Sequence, residues 1–166
     1  PFSLGKQSLR VSVAQRCGRD TGCALSCSTL AGGQDELVFD GASFALDRDA
    51  RLVARLPDFH EALDLVEVDA NGSVRSVDNP SQVMQPGPEL LSAEGQVWEA
   101  LKVGLSDYVT KNGFKSVVLG LSGGIDSAVV LAVAVDALGA DRVSVVMMPS
   151  RYTADISQID ASDMAN

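Results

Sequence analysis

The sequence has little that would place it in a membrane or on a nucleic acid. Its longest uninterrupted apolar run, residues 128–135, stops at Asp136, far short of the roughly 20 residues that cross a bilayer. No membrane partner is expected. Positive charge is scarce: 13 Lys and Arg stand against 22 Asp and Glu, for a net charge of −9. That balance argues against nucleic acid or an anionic lipid surface as the main partner, though an acidic chain still has room for a local phosphate site. Cysteine is limited to Cys17, Cys23 and Cys27, and histidine to His60. The spacings C-x5-C and C-x3-C, with no second pair and no histidine cluster, argue against a four-ligand zinc site. Arg10, Gln15 and Arg16 break up any apolar signal core near the start, so the odd cysteine count points to reduced, buried thiols in a cytoplasmic protein. His60 follows Pro57-Asp58-Phe59 in a polar connection, reads as a surface residue, and has no thiol tied to it that it could serve as a base. An initiator Met is missing too: the chain starts Pro1-Phe2-Ser3, as a fragment would.

What is present is an ordinary globular composition, 46% hydrophobic and 21% charged over 166 residues, which by length alone suggests one domain. The punctuation suggests more. Residues 77–89, VDNPSQVMQPGPE, hold three of the six prolines (Pro80, Pro86 and Pro88), which excludes a regular helix or a central strand there. We take residues 77–90 as a linker between a first part, 1–76, and a second, 91–166. Neither side is a basic arm: residues 1–79 carry 8 basic and 12 acidic groups, residues 80–166 carry 5 and 10. No solenoid repeat or low-complexity tract stands out.

The first part reads mostly as short strands. Residues 24–30 and 37–39 flank Gly32-Gly33, Asp40-Gly41 is a hairpin signal ahead of residues 43–46, and residues 52–56 and 65–68 add two more. Residues 7–15 fit either a strand, by the alternation of Leu9, Val11 and Val13, or a helix. The second part has helical periodicity over residues 92–111, with Val97, Trp98, Leu101, Leu105, Tyr108 and Val109 at three- and four-residue steps, Ser92 near the start and Asn112-Gly113 as the stop. An apolar strand over residues 116–121, a Ser122-Gly123-Gly124 turn, a helix over 125–138 ending at Gly139, and a strand over 143–147 make a βαβ unit with parallel strands.

The chemistry is concentrated in that turn. Gly120-Leu121-Ser122-Gly123-Gly124-Ile125-Asp126-Ser127 stands where a strand ends and a helix begins, the place where open α/β sheets bind ligands. Glycines let backbone amides converge on an anion, and the helix N-terminus adds partial positive charge. Ser122 and Ser127 supply hydroxyls. Asp126 would repel a bound phosphate unless it ligated a Mg²⁺ ion that bridges phosphate oxygens. The loop is neither a Walker A site, having no Gly-Lys-Ser/Thr, nor the G-x-G-x-x-G fingerprint.

S-G-G-x-D-S resembles the pyrophosphate-binding loop of the N-type ATP pyrophosphatases. The surrounding residues 100–127, ALKVGLSDYVTKNGFKSVVLGLSGGIDS, with Val135-Asp-Ala-Leu-Gly139 and Met148-Pro-Ser-Arg-Tyr152, look like the synthetase domain of the glutamine-dependent NAD⁺ synthetases. In the first part, GGQDELVFDG at residues 32–41 is similar to a segment of the nitrilase-like glutaminase domain of the same family, and Pro1-Phe2 with Gly5-Lys6 resembles the tail of its N-A-S-P-F-x-x-G-K segment. The resemblance covers essentially the whole chain. It implies an α/β protein: an incomplete nitrilase-like sandwich followed by the first βαβ unit of a Rossmann-like ATP pyrophosphatase domain.

The resemblance further implies a carbon–nitrogen ligase that adenylates deamido-NAD⁺ with ATP, releases pyrophosphate and AMP, and takes ammonia from glutamine. Residues 120–127 and Arg151 would meet ATP, Asp126 the Mg²⁺, and Lys6 the glutamine. The family's glutaminase Glu, Lys and Cys would lie before Pro1, so none of the three cysteines matches the nucleophile. The family forms homo-oligomers. Two departures bear on the glutaminase side: where the family tends to have Tyr and Asn, Cys27 and Thr29 stand, leaving less volume and fewer hydrogen-bond partners. Asp35 and Glu36 fit a polar network beside a hairpin, and Asp155, Asp160 and Asp163 fit a solvated helix face. Two other readings remain open at this level: a catalytically incomplete nucleotide-binding fragment, and another amidotransferase of the superfamily such as a GMP synthetase, which GGQDELVFDG disfavours.

Overall fold

The segment that fits both helix and strand is a helix, α1, Lys6–Thr21. Its buried positions are Gln7, Ala14 and Gly18, at helical spacing, whereas Leu9 and Val13 are 61% and 60% exposed. The alternation of Leu9, Val11 and Val13 therefore does not mark a sheet face; Leu9 and Val13, four apart, share the outer side of the helix. Gly22 closes α1 in the left-handed region at φ 64°, its N–H donating to the Gly18 carbonyl at 2.8 Å, as an αL cap does.

In this computed structural model, the described residues are 1–77, 91–149 and 154–165. They divide into a unit of residues 1–32 and 36–100 and a unit of residues 33–35 and 101–166. The expected linker, apart from Val77, falls outside the described residues, as does Arg151.

In the first unit, β1 (Leu25–Cys27), β4 (Phe44–Leu46) and β5 (Leu52–Arg55) form an antiparallel sheet in the order β1-β4-β5. α1 lies against this sheet: Ala14, Phe44 and Leu46 form its buried centre, with Val11, Leu25, Cys27 and Leu52 around them. Leu46 is fully buried, and each such aliphatic or aromatic side chain contributes about 1.5–3 kcal/mol by leaving water. Two further pairs are β2 (Ala31–Gln34) with β3 (Leu37–Asp40), and β6 (Val66–Val68) with β7 (Val74–Ser76), a strand the sequence reading did not include.

Two expectations are corrected here. The Asp40-Gly41 hairpin does not form. The Asp40 carboxylate takes a two-pronged ion pair from Arg10 at 2.5 and 2.6 Å, the Gly41 N–H donates to the Leu30 carbonyl at 2.8 Å, and Gly41 bridges to Asp58. The turn comes earlier, at Asp35-Glu36, with Asp35 at φ 50°, and Gly32-Gly33 lie inside β2 rather than between strands. The cysteines are free, but Cys17 and Cys23 are exposed and Cys27 half-buried. Cys17 and Cys23 lie on and just after the C-terminal half of α1, outside its buried positions, and only Cys27 packs against the core.

From residue 91 onward the chain follows the expected order closely. α2 (Ala93–Lys111) begins at Ser92, whose hydroxyl oxygen accepts the Gly95 N–H at 3.1 Å, and ends at Gly113 with φ 75°. β8 (Val117–Gly120) and β9 (Val143–Val146) are parallel, in register from Val117↔Val143 to Gly120↔Val146. α3 (Ile125–Leu138) and a 3₁₀ turn, Ala140–Arg142, connect them. Arg142 fastens the turn by donating to the carbonyls of Lys115 and Phe114 at 2.8 and 3.0 Å, and Lys102 pairs with Asp136 at 3.2 Å, joining α2 to α3. Asp107 on α2 accepts the Gly33 N–H at 2.6 Å and pairs with Lys111 at 3.0 Å. Burial alone would raise its carboxyl; the Gly33 amide and Lys111 outweigh that and hold it below the usual aspartate value. The last element, α4, is Asp155–Met164.

Candidate anion-binding loop

The parallel pairing of β8 and β9 sends both strands toward one edge, and the loop leaves the sheet there. Leu121, 3% exposed, anchors its start: the Leu121 N–H donates to the Val146 carbonyl at 3.0 Å, adding one bond beyond the strands. Gly123 then turns the chain at φ 77°, a left-handed conformation glycine adopts without a Cβ penalty. Gly124 is the N-cap of α3 in extended geometry, and the first helical bond runs from the Ala128 N–H to the Gly124 carbonyl at 3.1 Å. As a glycine, the cap has no side chain to offer, so the amides of the first turn of α3 have no side-chain cap from it. They are free for an anion.

Four hydrogen bonds hold the loop in shape. The Gly124 N–H donates to Ser122 Oγ at 3.3 Å, and the Ser127 hydroxyl donates to the Gly124 carbonyl at 2.9 Å. Ser127 has only that one proton to give, so in its 3.1 Å contact with Ser122 Oγ the Ser122 hydroxyl is the donor. The Ser122 N–H also donates to Ser127 Oγ, at 3.2 Å. Gly124, Ser122 and Ser127 thus form a closed ring of bonds within one strand-to-helix turn. Asp126 is exposed in the first turn of α3, where its negative charge suits the positive end of the helix.

A cavity of about 270 Å³ opens beside the loop, bounded by residues 120–122, residues 147–149 and Ser157. It lies off the carboxyl ends of β8 and β9, and Leu121, Met147, Met148 and Pro149 give it apolar walls. The structure therefore gathers Gly120, Leu121 and Ser122 at a cavity, with Gly123, Gly124, Ile125, Asp126 and Ser127 continuing around the turn. Sequence reasoning missed the methionines, although the end of a parallel strand was a signal for them. It also missed Ser157, for which no local pattern offered a signal.

Lys6 is elsewhere, in the first unit. It lines a largely apolar groove of about 520 Å³ between α1 and β1, shared with Leu9, Arg10 and Cys17, and its Nζ donates to the Pro1 carbonyl at 2.7 Å. His60 is exposed, with Nδ1 2.8 Å from the Asp58 carbonyl oxygen. Asp155 and Asp163 are exposed on α4 and Asp160 is half-buried. Among the described residues no group of three or more His, Cys, Asp or Glu is arranged to hold a metal ion, and no helix is long and apolar enough to cross a membrane.

Residues 97–166 match the NAD synthase family model. The chain is 43% identical to the glutamine-dependent NAD(+) synthetase of Rhodobacter capsulatus over 166 residues, which is 99% of this chain and 29% of that protein. With the enzyme of Acinetobacter baylyi it shares 38% identity over 165 residues, again 99% of this chain and 29% of the relative. The solved glutamine-dependent NAD⁺ synthetase of Acinetobacter baumannii, determined in complex with ADP, superposes with a TM-score of 0.85 at 35% identity, covering 98% of this chain and 30% of that one. The homologues of this chain are thus glutamine-dependent NAD⁺ synthetases, matched along its whole length, and the chain spans about 30% of the length of those it matches. Its mixed α/β fold is theirs.

Proposed function

We propose that this chain is part of a glutamine-dependent NAD⁺ synthetase and contributes the loop on which ATP loses its pyrophosphate. In the reaction of the whole protein, the carboxylate of deamido-NAD⁺ attacks the α-phosphorus of ATP, pyrophosphate leaves, and ammonia from glutamine displaces AMP to give NAD⁺. Residues 1–76 are the nitrilase-like portion, 77–90 the connection and 91–166 the Rossmann-like beginning of the synthetase portion. Cytoplasmic location accords with three free cysteines.

One observation carries the reading: the uncapped amides at the start of α3 open on a turn that the Ser122 and Ser127 hydroxyls already hold in shape. A leaving pyrophosphate gathers negative charge, and donors fixed in advance stabilise it without rearranging during the reaction. Asp126 suits a Mg²⁺ ion by its chemistry, an exposed hard carboxylate oxygen beside two hydroxyls and the expected phosphates. Mg²⁺ characteristically takes one or two carboxylates and the phosphates themselves rather than a protein cage, and when bound it would neutralise phosphate charge. Arg151 and Lys6 are assigned, by their match to the family pattern, to the nucleotide and to the glutamine carboxylate. The ADP in the Acinetobacter baumannii relative supports an adenine nucleotide as the ligand.

Calorimetry of Mg-ATP binding to the full-length protein tests this. Asp126→Ala is expected to abolish measurable Mg-ATP affinity, and an unchanged affinity would remove Asp126 from the site.

A further inference from the structure

Ser157, in the first turn of α4, lines the cavity beside the loop. Its backbone lies against Gly123 so closely that a Cβ on Gly123 would overlap the Ser157 carbonyl oxygen and stand 2.9 Å from both its carbonyl carbon and its Cα. The contact is made by the Ser157 backbone and leaves the side chain unengaged. Among the described lining residues Ser122 and Ser157 supply the only side-chain hydroxyls; the other side chains are apolar. Among the described residues the Ser157 hydroxyl has no hydrogen-bond partner, whereas that of Ser122 is engaged in the ring of bonds within the loop.

We propose that Ser157 is a nucleotide-binding residue that contacts the nucleoside end of ATP. The inference rests on the reading of the loop as the ATP site and adds a second wall to it. With the phosphates on the first turn of α3, the nucleoside is directed into the cavity off β8 and β9. There Met147 and Met148 offer polarizable surface to a flat base. A nucleoside in such a setting needs a polar partner for its own hydroxyls and ring nitrogens, since an unmet group in an apolar wall is costly. Among the described lining residues Ser157 is the unengaged side-chain donor and acceptor. The tight approach at Gly123 fixes the distance between that hydroxyl and the phosphate loop, so one ligand can span both.

The test compares Mg-ATP with inorganic pyrophosphate as ligands of the full-length protein by calorimetry. Ser157→Ala is expected to weaken Mg-ATP about fivefold, the worth of one neutral hydrogen bond, with pyrophosphate affinity and Tm unchanged. Gly123→Ala is expected to weaken both ligands, because the loop or α4 must move. If Ser157→Ala leaves Mg-ATP affinity unchanged, or weakens pyrophosphate equally, the nucleoside contact is wrong while the loop reading stands. If the unaltered protein binds neither ligand, the loop reading fails and this inference with it.

Discussion

Replacing Ser127 by Ala separates two jobs that one hydroxyl performs. In the free loop Ser127 Oγ donates to the Gly124 carbonyl at 2.9 Å, accepts the Ser122 N–H at 3.2 Å and contacts Ser122 Oγ at 3.1 Å. At about 0.5–1.5 kcal/mol net for each bond, removing all three would cost roughly 3 kcal/mol if nothing replaced them. Ser122 is exposed and Ser127 half-buried, so water takes over most of these bonds and the cost to folding falls to about 1 kcal/mol. Binding is affected more. To donate to a charged phosphate oxygen, worth about 1.5–3 kcal/mol, the hydroxyl must give up the Gly124 carbonyl, worth about 0.5–1.5 kcal/mol, which leaves a net of about 1–1.5 kcal/mol or roughly 5- to 10-fold in affinity, and a loop whose ring is broken must also be ordered by the ligand. Titration calorimetry with Mg-ATP, alongside thermal unfolding of the same preparations, reads both quantities. A loss of affinity of at least that size with a small shift in Tm is the expected result. Ser127→Ala with unimpaired affinity would mean that the hydroxyl shapes the turn and nothing more, and that the anion site lies elsewhere.

Two other predictions concern the first unit. Leu46→Ala, at a fully buried position between β1 and β5, should cost about 2–5 kcal/mol, seen as a lower denaturant midpoint at unchanged slope; a loss under 1 kcal/mol would place the core elsewhere. Asp58 has its carboxyl raised above the usual aspartate value, first by burial, while the Leu91 amide and Arg55 pull the other way, and its Oδ1 is buried without a partner. The stability tied to its protonated form is full below the unfolded value near 3.8 and lost as pH rises through the raised folded value. Asp58→Asn should therefore raise Tm more at pH 7 than at pH 3.5, and an equal shift at both would refute the assignment.

Much of the chain from residue 91 onward was legible because its signals are local. Ser92, Asn112-Gly113 and Gly139 mark helix ends by chemistry that acts within a few residues, and α2 and α3 begin and end close to them. A parallel pair joined through a glycine-rich turn and a helix was equally legible, since short apolar strands flanking a helix leave few topologies. The first unit yielded less. Leu9, Val11 and Val13 match both periods, and only the burial of Gln7, Ala14 and Gly18 settles the helix. Asp40-Gly41 has the composition of a hairpin, yet Arg10, thirty residues earlier, claims the carboxylate, which no local rule foresees. Ser157 shows the same limit at the site: it reaches the cavity through a backbone packing on Gly123 that becomes visible only in three dimensions.

The central claim, that the turn at residues 120–127 holds the pyrophosphate end of ATP while deamido-NAD⁺ is adenylated, is tested most directly by isotope exchange. Labelled pyrophosphate should enter ATP when the full-length protein is given deamido-NAD⁺, Mg²⁺ and ATP, and should fail to enter with Asp126→Ala. Exchange that persists undiminished in Asp126→Ala, or that is missing in the unaltered protein, would contradict the account.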